Sequence, residues 1–149
     1  MDNDTRHVYF TFFNEIGIIA QLSRAAMEAR LPKGLTLPHF SVINHLIRVR
    51  DGQTPLTLAR AFQVPKTTMT HTLSGLLEHG FVEMRPNPKD GRSKTVWLTD
   101  AGRTFREAAI KASDPDIEAL KAAFPKQKVE QLLPLLADIR SFMDAYRDE

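Results

Sequence analysis

The stretch LARAFQVPKTTMTHTLSGLLEHGFVEMRPNPKDGRSKTVWLTDAGR, residues 58–103, decides the fold. It begins inside a short helix. Thr54-Pro55 just upstream is a cap followed by a proline, and from Leu56 to about Phe62 the side chains of Leu58, Ala59 and Phe62 share one face. Gln63-Val64-Pro65 is too short for anything but a turn. Lys66 to His79 reads as a second helix, with Met69, Leu73, Leu76 and Leu77 as its apolar stripe. Its other face carries Lys66, Thr67, Thr70, His71, Ser74 and Glu78, with Thr68 at the boundary. Gly80 is the C′ residue that stops it. Two β-type runs, Phe81–Arg85 and Ser93–Leu98, then flank the loop Pro86-Asn87-Pro88-Lys89-Asp90-Gly91-Arg92, a hairpin with a basic, exposed tip. Alternation turns Trp97 away from Val96 and Leu98, toward a neighbouring helix. Thr99 caps a further helix that opens on Asp100. Helix, short turn, helix, hairpin is the order of a winged helix-turn-helix.

The flanks are helical. Between Thr5 and Arg30, Tyr9, Phe12, Phe13, Ile16, Ile19 and Ala20 recur at helical spacing, and Val8, Phe10, Ile18 and Leu22 add apolar side chains off that stripe. A terminal helix apolar on more than one face predicts burial by a second body. Leu31-Pro32-Lys33-Gly34 breaks it, and Thr36 and Pro38 open a helix with Phe40, Ile43, Leu46 and Ile47 inward, ended by Asp51-Gly52. Downstream, Asp114-Pro115 and Pro125 interrupt the helical pattern. From about Lys126 to Arg147 a clean stripe of Val129, Leu132, Leu133, Leu136, Ile139, Met143 and Tyr146 predicts a last helix, with a kink or a delayed start at Pro134. The expected class is mainly α with a small β-hairpin wing.

Composition narrows the function. The chain has 149 residues, suiting one domain, and no Cys, which excludes disulfides, thiolate zinc sites, cysteine nucleophiles and thiol redox sensing. No apolar run is long enough to span a membrane, and the opening MDNDTRHVYF lacks the basic region of a secretory signal, so a soluble cytoplasmic protein is the expectation. Net charge is +2, but unevenly spread: +1 over residues 1–54, +4 over 55–106 and −3 over 107–149. A basic middle third containing the hairpin fits a nucleic-acid surface, although a solvated basic face would carry the same charge. The five His residues form no local zinc signature such as HExxH, and Ser41, Ser74 and Ser93 lack a nucleophile-elbow context. No enzyme constellation, metal site or cofactor is expected.

A helix of the size of Lys66–His79 fits the major groove, where Thr and Ser side chains meet base edges, phosphates and thymine methyls. The hairpin is then free to touch the backbone or enter the adjacent minor groove. The stretch also resembles the DNA-binding lobe of the MarR family (multiple antibiotic resistance regulators). Leu58-Ala59, the turn and helix over Val64–Leu73, Leu76 through Gly80-Phe81-Val82, the wing Asp90-Gly91-Arg92, and Leu98-Thr99 followed by Gly102 all fall in register. The resemblance implies one domain over 1–149, with dimerisation helices at about 5–35 and 104–149 and a winged lobe at about 36–103. It implies a homodimer on a pseudo-palindromic double-stranded DNA operator, acting as a repressor relieved by a small aromatic or lipophilic effector.

The implied DNA-binding residues are Lys66, Thr67, Thr68, Thr70, His71, Ser74, Lys89, Asp90, Arg92 and Lys94. By the resemblance, Arg92 enters the minor groove and Asp90 orients the wing. Phe12, Phe13, Ile16, His39 and Phe40 are the candidate effector-binding residues; the first three read first as dimer core, and the two roles overlap. Two positions depart from the family pattern. His71 stands where an Arg is frequent, and Gln63 stands where a turn Gly is common, which predicts a non-glycine residue in an unusual backbone state. The alternative function is a winged-helix protein–protein interaction module without specific DNA binding.

Overall fold

A computed structural model describes residues 1–148 and divides the chain into two compact units, Met1–Ser113 and Asp114–Glu149. The first unit holds α1 (Asn3–Arg30), α2 (Leu37–Arg48), α3 (Pro55–Phe62), α4 (Lys66–Glu78), β1 (Val82–Pro86), β2 (Lys94–Leu98) and α5 (Asp100–Ala112). The second holds α6 (Asp114–Ala123) and α7 (Lys126–Arg147). Phe105 and Ala109 bury α5 in the core of the first unit.

That core gathers Phe40, Ile43 and Leu46 from α2, Leu58 from α3, Leu73 and Leu76 from α4 and Val96 from β2, with Met27 and Leu31 packed against its edge. Local chemistry sets the ends of these helices. Thr54 Oγ1 accepts the Thr57 N–H at 3.2 Å, and Thr99 Oγ1 accepts the Gly102 N–H at 3.1 Å while donating to the Gly80 carbonyl at 2.6 Å. Gly80, at φ +70°, closes α4: its N–H donates to the Leu77 carbonyl and that of Phe81 to the Leu76 carbonyl, both at 3.0 Å. The buried stripe of α4 is Met69, Thr72, Leu73 and Leu76. Leu77, expected within it, is exposed, because eight residues beyond Met69 it has rotated to the edge of the stripe, and Thr72 occupies the inner position.

β1 and β2 pair antiparallel, with Val82 opposite Leu98 and Pro86 opposite Lys94. A third backbone segment joins them: the Val96 N–H donates to the Gln53 carbonyl at 2.8 Å and the Gly52 N–H to the Val96 carbonyl at 3.0 Å. Trp97 does point away from the buried Val96 and Leu98, and its ring packs beneath the α2–α3 loop at Gly52. The Arg85 guanidinium lies over its ring, 4.5 Å from the centroid. The fold of the lobe is pinned at long range by Asp51, whose Oδ1 accepts the Leu98 N–H at 3.0 Å, and by Asn44, whose Oδ1 accepts from Arg106 at 3.2 and 3.3 Å.

Gln63 closes α3 in the left-handed region, at φ 53° and ψ 45°. Gln63→Val will lower the unfolding free energy by about 1–2 kcal/mol, since a side chain in this region crowds its own carbonyl and β-branching adds to the crowding. Gln63→Gly will change it by less than about 1 kcal/mol, because the relief of strain is offset by a more flexible unfolded chain. Chemical denaturation of the two variants checks both signs; a Val variant as stable as the parent would contradict the assignment.

In the second unit, α6 and α7 bury no residue. Ile117, Leu120 and Phe124 of α6 and Val129 of α7 line an apolar groove of about 360 Å³. Helix α7 starts directly after Pro125 and runs on through Pro134, so the delayed start is not taken; Pro134 simply has no N–H for the Glu130 carbonyl. Among the described residues no helix is long and apolar enough to cross a membrane.

Candidate nucleic-acid interface

The site is built on α4 and the hairpin. Lys66, Thr67, Thr68, Thr70, His71 and Ser74 are all exposed along α4, and Lys89, Asp90, Arg92 and Lys94 are all exposed on or beside the wing. Pro65 precedes α4 without providing a side-chain cap, so the helix opens on backbone N–H groups and the ammonium of Lys66. Thr70 donates its hydroxyl back to the Lys66 carbonyl at 2.9 Å. Its proton is thereby used, and what it offers outward is a methyl group and oxygen lone pairs.

The wing is braced from within. The Asp90 Oδ1 accepts the Arg92 N–H at 2.9 Å, and the Asp90 carbonyl accepts the Ser93 N–H at 3.2 Å. Asn87 bridges the loop, accepting the Lys89 N–H at 3.0 Å and donating its Nδ2 to Ser93 Oγ at 2.9 Å. Asn87 lies outside the expected set; its signal in the sequence is an Asn between two prolines, a residue suited to bonding its own backbone two positions on. With the loop held this way, Lys66, Asp90, Arg92 and Lys94 line one cleft of about 630 Å³ beside Thr54. On the other flank of the wing, Arg50, Arg85 and Lys89 border a second cleft of about 560 Å³ floored by Trp97. Arg50 and Arg85 were not among the expected residues, because their approach to Lys89 depends on the docking of the α2–α3 loop against β2.

The five residues expected around an effector occupy three settings. Phe12, Phe13 and Ile16 lie on α1, with the two rings edge to face at 5.2 Å. Phe40 is inside the core of the lobe, only 7% exposed. His39 stands in the first turn of α2, its ring against Gly75 of α4. Among the described residues no group of three or more His, Asp or Glu side chains is arranged to hold a metal.

A helical lobe presenting one polar helix face beside a braced, cationic hairpin is a winged helix-turn-helix. Comparison with known proteins makes the assignment particular. The sequence profile of the MarR family matches residues 33–93. The HTH-type transcriptional repressor YetL of Bacillus subtilis is 26% identical over 117 residues, covering 78% of this chain and 70% of that protein. The structure of a MarR transcriptional regulator from Methanosarcina mazei Go1 matches with TM-score 0.74 and 21% identity, over 91% of this chain and 98% of that one. Apo wild-type MarR from E. coli matches with TM-score 0.72 and 26% identity, over 85% and 93%. The match to the MarR family thus spans the lobe from the start of α2 to the wing, and the fold is that of MarR structures.

Proposed function

We propose that this protein is a homodimeric repressor that binds a pseudo-palindromic DNA operator and is released by a small aromatic or lipophilic effector. The observation that carries the reading is the convergence of two separate elements on one polar surface: Lys66 from α4 shares a cleft with Arg92 and Lys94 from the wing. Three cations around a single carboxylate suit a phosphate backbone, while the exposed Thr and His side chains of α4 suit base edges. Asp90 acts through the wing backbone, which it brackets, rather than on DNA. The similarity to a named repressor supports the sign of regulation.

Two copies are needed because the apolar side chains outside the lobe have no cover within their own units. On α1, Tyr9, Phe10, Ile19 and Leu22 are each more than 60% exposed. Among the described residues of the second unit, none on α6 or α7 is buried. Phe12, Phe13 and Ile16 belong to this surface and are proposed to serve both the dimer and an effector pocket, with His39 and Phe40 as its candidate lobe-side residues. An effector would release DNA by preferring a spacing of the two recognition helices other than one helical turn, ~34 Å. The reading carries a cytoplasmic location with it.

Fluorescence anisotropy with a duplex selected from a random library, against a scrambled duplex over a salt series, tests the central claim. Preferential binding of the selected duplex is expected, with affinity falling steeply as salt rises. Equal affinity for both duplexes would overturn it in favour of a protein-interaction module.

A further inference from the structure

His39 joins α2 to the recognition helix in a way that DNA contact does not require. Its Nδ1 accepts the Thr36 N–H at 2.9 Å, as the third residue of a capping box does. That nitrogen therefore carries the lone pair, and the ring proton belongs on Nε2. The Nε2 edge lies against α4 at Gly75: a Cβ there would stand 2.5 Å from Nε2 and 3.3 Å from Cδ2 and Cε1. Only a residue without a side chain lets the ring approach so closely. His71 and His79 lie one turn either side of Gly75, on the same face of α4. The His79 Nδ1 donates to the Gly75 carbonyl at 2.9 Å, and its ring stacks on Phe81 with centroids 5.4 Å apart. The imidazole of α2 thus faces the stretch of α4 between two other imidazoles.

We infer that His39 is a positioning residue for the recognition helix: its neutral ring is the spacer that seats α4 on α2 at Gly75, and protonating it unseats the helix and reduces discrimination between DNA sequences. This rests on the DNA-binding reading above. A second proton can go only to Nδ1, where the Thr36 N–H already points, so the cap is lost. The resulting cation stands in the first turn of α2, at the positive end of the helix dipole. The titratable groups acting on it from α4 are His79 and His71, which carry the same sign when charged. Burial first, then His79, then His71 hold the His39 ring below the ordinary imidazole range. The fold thus favours the neutral form. Its stabilisation is complete above the ordinary imidazole range and is lost as pH falls through that range and through the lowered value of His39 itself.

The test compares the parent, His39→Gln and His39→Ala. Affinities for a library-selected duplex and for a scrambled one are measured at about pH 7.5 and about pH 5.5, either side of an ordinary imidazole. The ratio of the two affinities is the readout, because a general gain of positive charge on acidification strengthens binding to both duplexes alike. In the parent the ratio should fall at least about fivefold on acidification, the lower end of ordinary coupling between sites. His39→Gln keeps an acceptor for Thr36 and does not titrate, so its ratio should change by less than about twofold from its own value at the higher pH. His39→Ala loses both cap and spacer and should discriminate poorly at both. A flat ratio in the parent, or an equal fall in His39→Gln, would overturn the inference. Failure to select any duplex would instead sink the DNA-binding reading. The seating of α4 is then judged by thermal melts: a larger acid-induced drop in Tm for the parent than for His39→Gln supports it, and an equal drop overturns it.

Discussion

Aspartate at both Leu136 and Met143 will leave a particle of one chain mass, 16.9 kDa, where the parent gives twice that mass in light scattering. Both side chains lie on the apolar stripe of α7 and are 42% and 47% exposed in a single chain. Covering the exposed remainder of each is worth about 1 kcal/mol, and a symmetric dimer counts each substitution twice, so lost burial alone amounts to about 4 kcal/mol. Four carboxylates would also have to be desolvated without partners, which costs more than the lost burial. Since a nanomolar dimer holds about 12 kcal/mol, the combined loss takes its dissociation constant beyond the micromolar range. Gln131→Asp, set around α7 from both residues, is the control and should leave the dimer intact. A double variant that keeps twice the chain mass would place the interface elsewhere. The expectation extends to function: a single lobe contacts one half-site, so the dissociated variant should also lose preference for a two-fold symmetric duplex.

Arg92→Ala should weaken binding to a selected duplex by about 1–3 kcal/mol and lower the salt slope by about one. The exposed Arg92 side chain sits in the cleft that Lys66 and Lys94 also line, and its own N–H is tied to Asp90 Oδ1 at 2.9 Å. The backbone bond survives the substitution, so the wing keeps its shape and the loss reports the guanidinium alone. Arg92→Lys retains the charge and the salt slope but not the planar fork, and it should recover only part of the affinity. The recognition face should respond differently. His71→Ala removes a base-edge partner, so its smaller loss should concentrate at a defined base pair instead of spreading over all sequences. Thr70, with its proton committed to the Lys66 carbonyl, should discriminate through its methyl group; Thr70→Val would then be tolerated better than Thr70→Ser. Titrations against the selected duplex, single-base variants and a scrambled duplex at two salt concentrations separate these roles. An Arg92→Ala protein that binds as tightly as the parent would reduce the hairpin to a structural flap.

These roles divide between rigid and adjustable parts of the lobe. The wing is braced inside its own loop by Asp90, Asn87 and Ser93, so its cations are presented without help from the core. Helix α4 is instead held by packing, through Met69, Leu73 and Leu76 below and His39 at Gly75. On the proposed reading, a signal that alters that packing would change base readout and leave the phosphate contacts of the wing in place.

The sequence by itself determined the order of the elements, because their ends are written in local chemistry. Thr54 and Thr99 cap helices with their own hydroxyls, Gly80 takes a conformation that closes α4, and Gln63 occupies the left-handed turn foreseen for it. The exposed cations and hydroxyls of α4 and the wing were equally legible, since an amphipathic period assigns each polar side chain to a face. Only the tertiary structure decided which distant groups meet. Gln53 became a third strand segment because β2 had a free edge for its backbone, and Trp97 found Gly52. Asp51 reached the Leu98 N–H, and Asn44 reached Arg106. His39, which in sequence is one polar residue before an apolar Phe40, became a wedge between α2 and α4. None of these pairings leaves a periodic trace. Each depends on how two finished elements dock, and docking is set by the shape of a whole buried surface, which no short window of sequence contains.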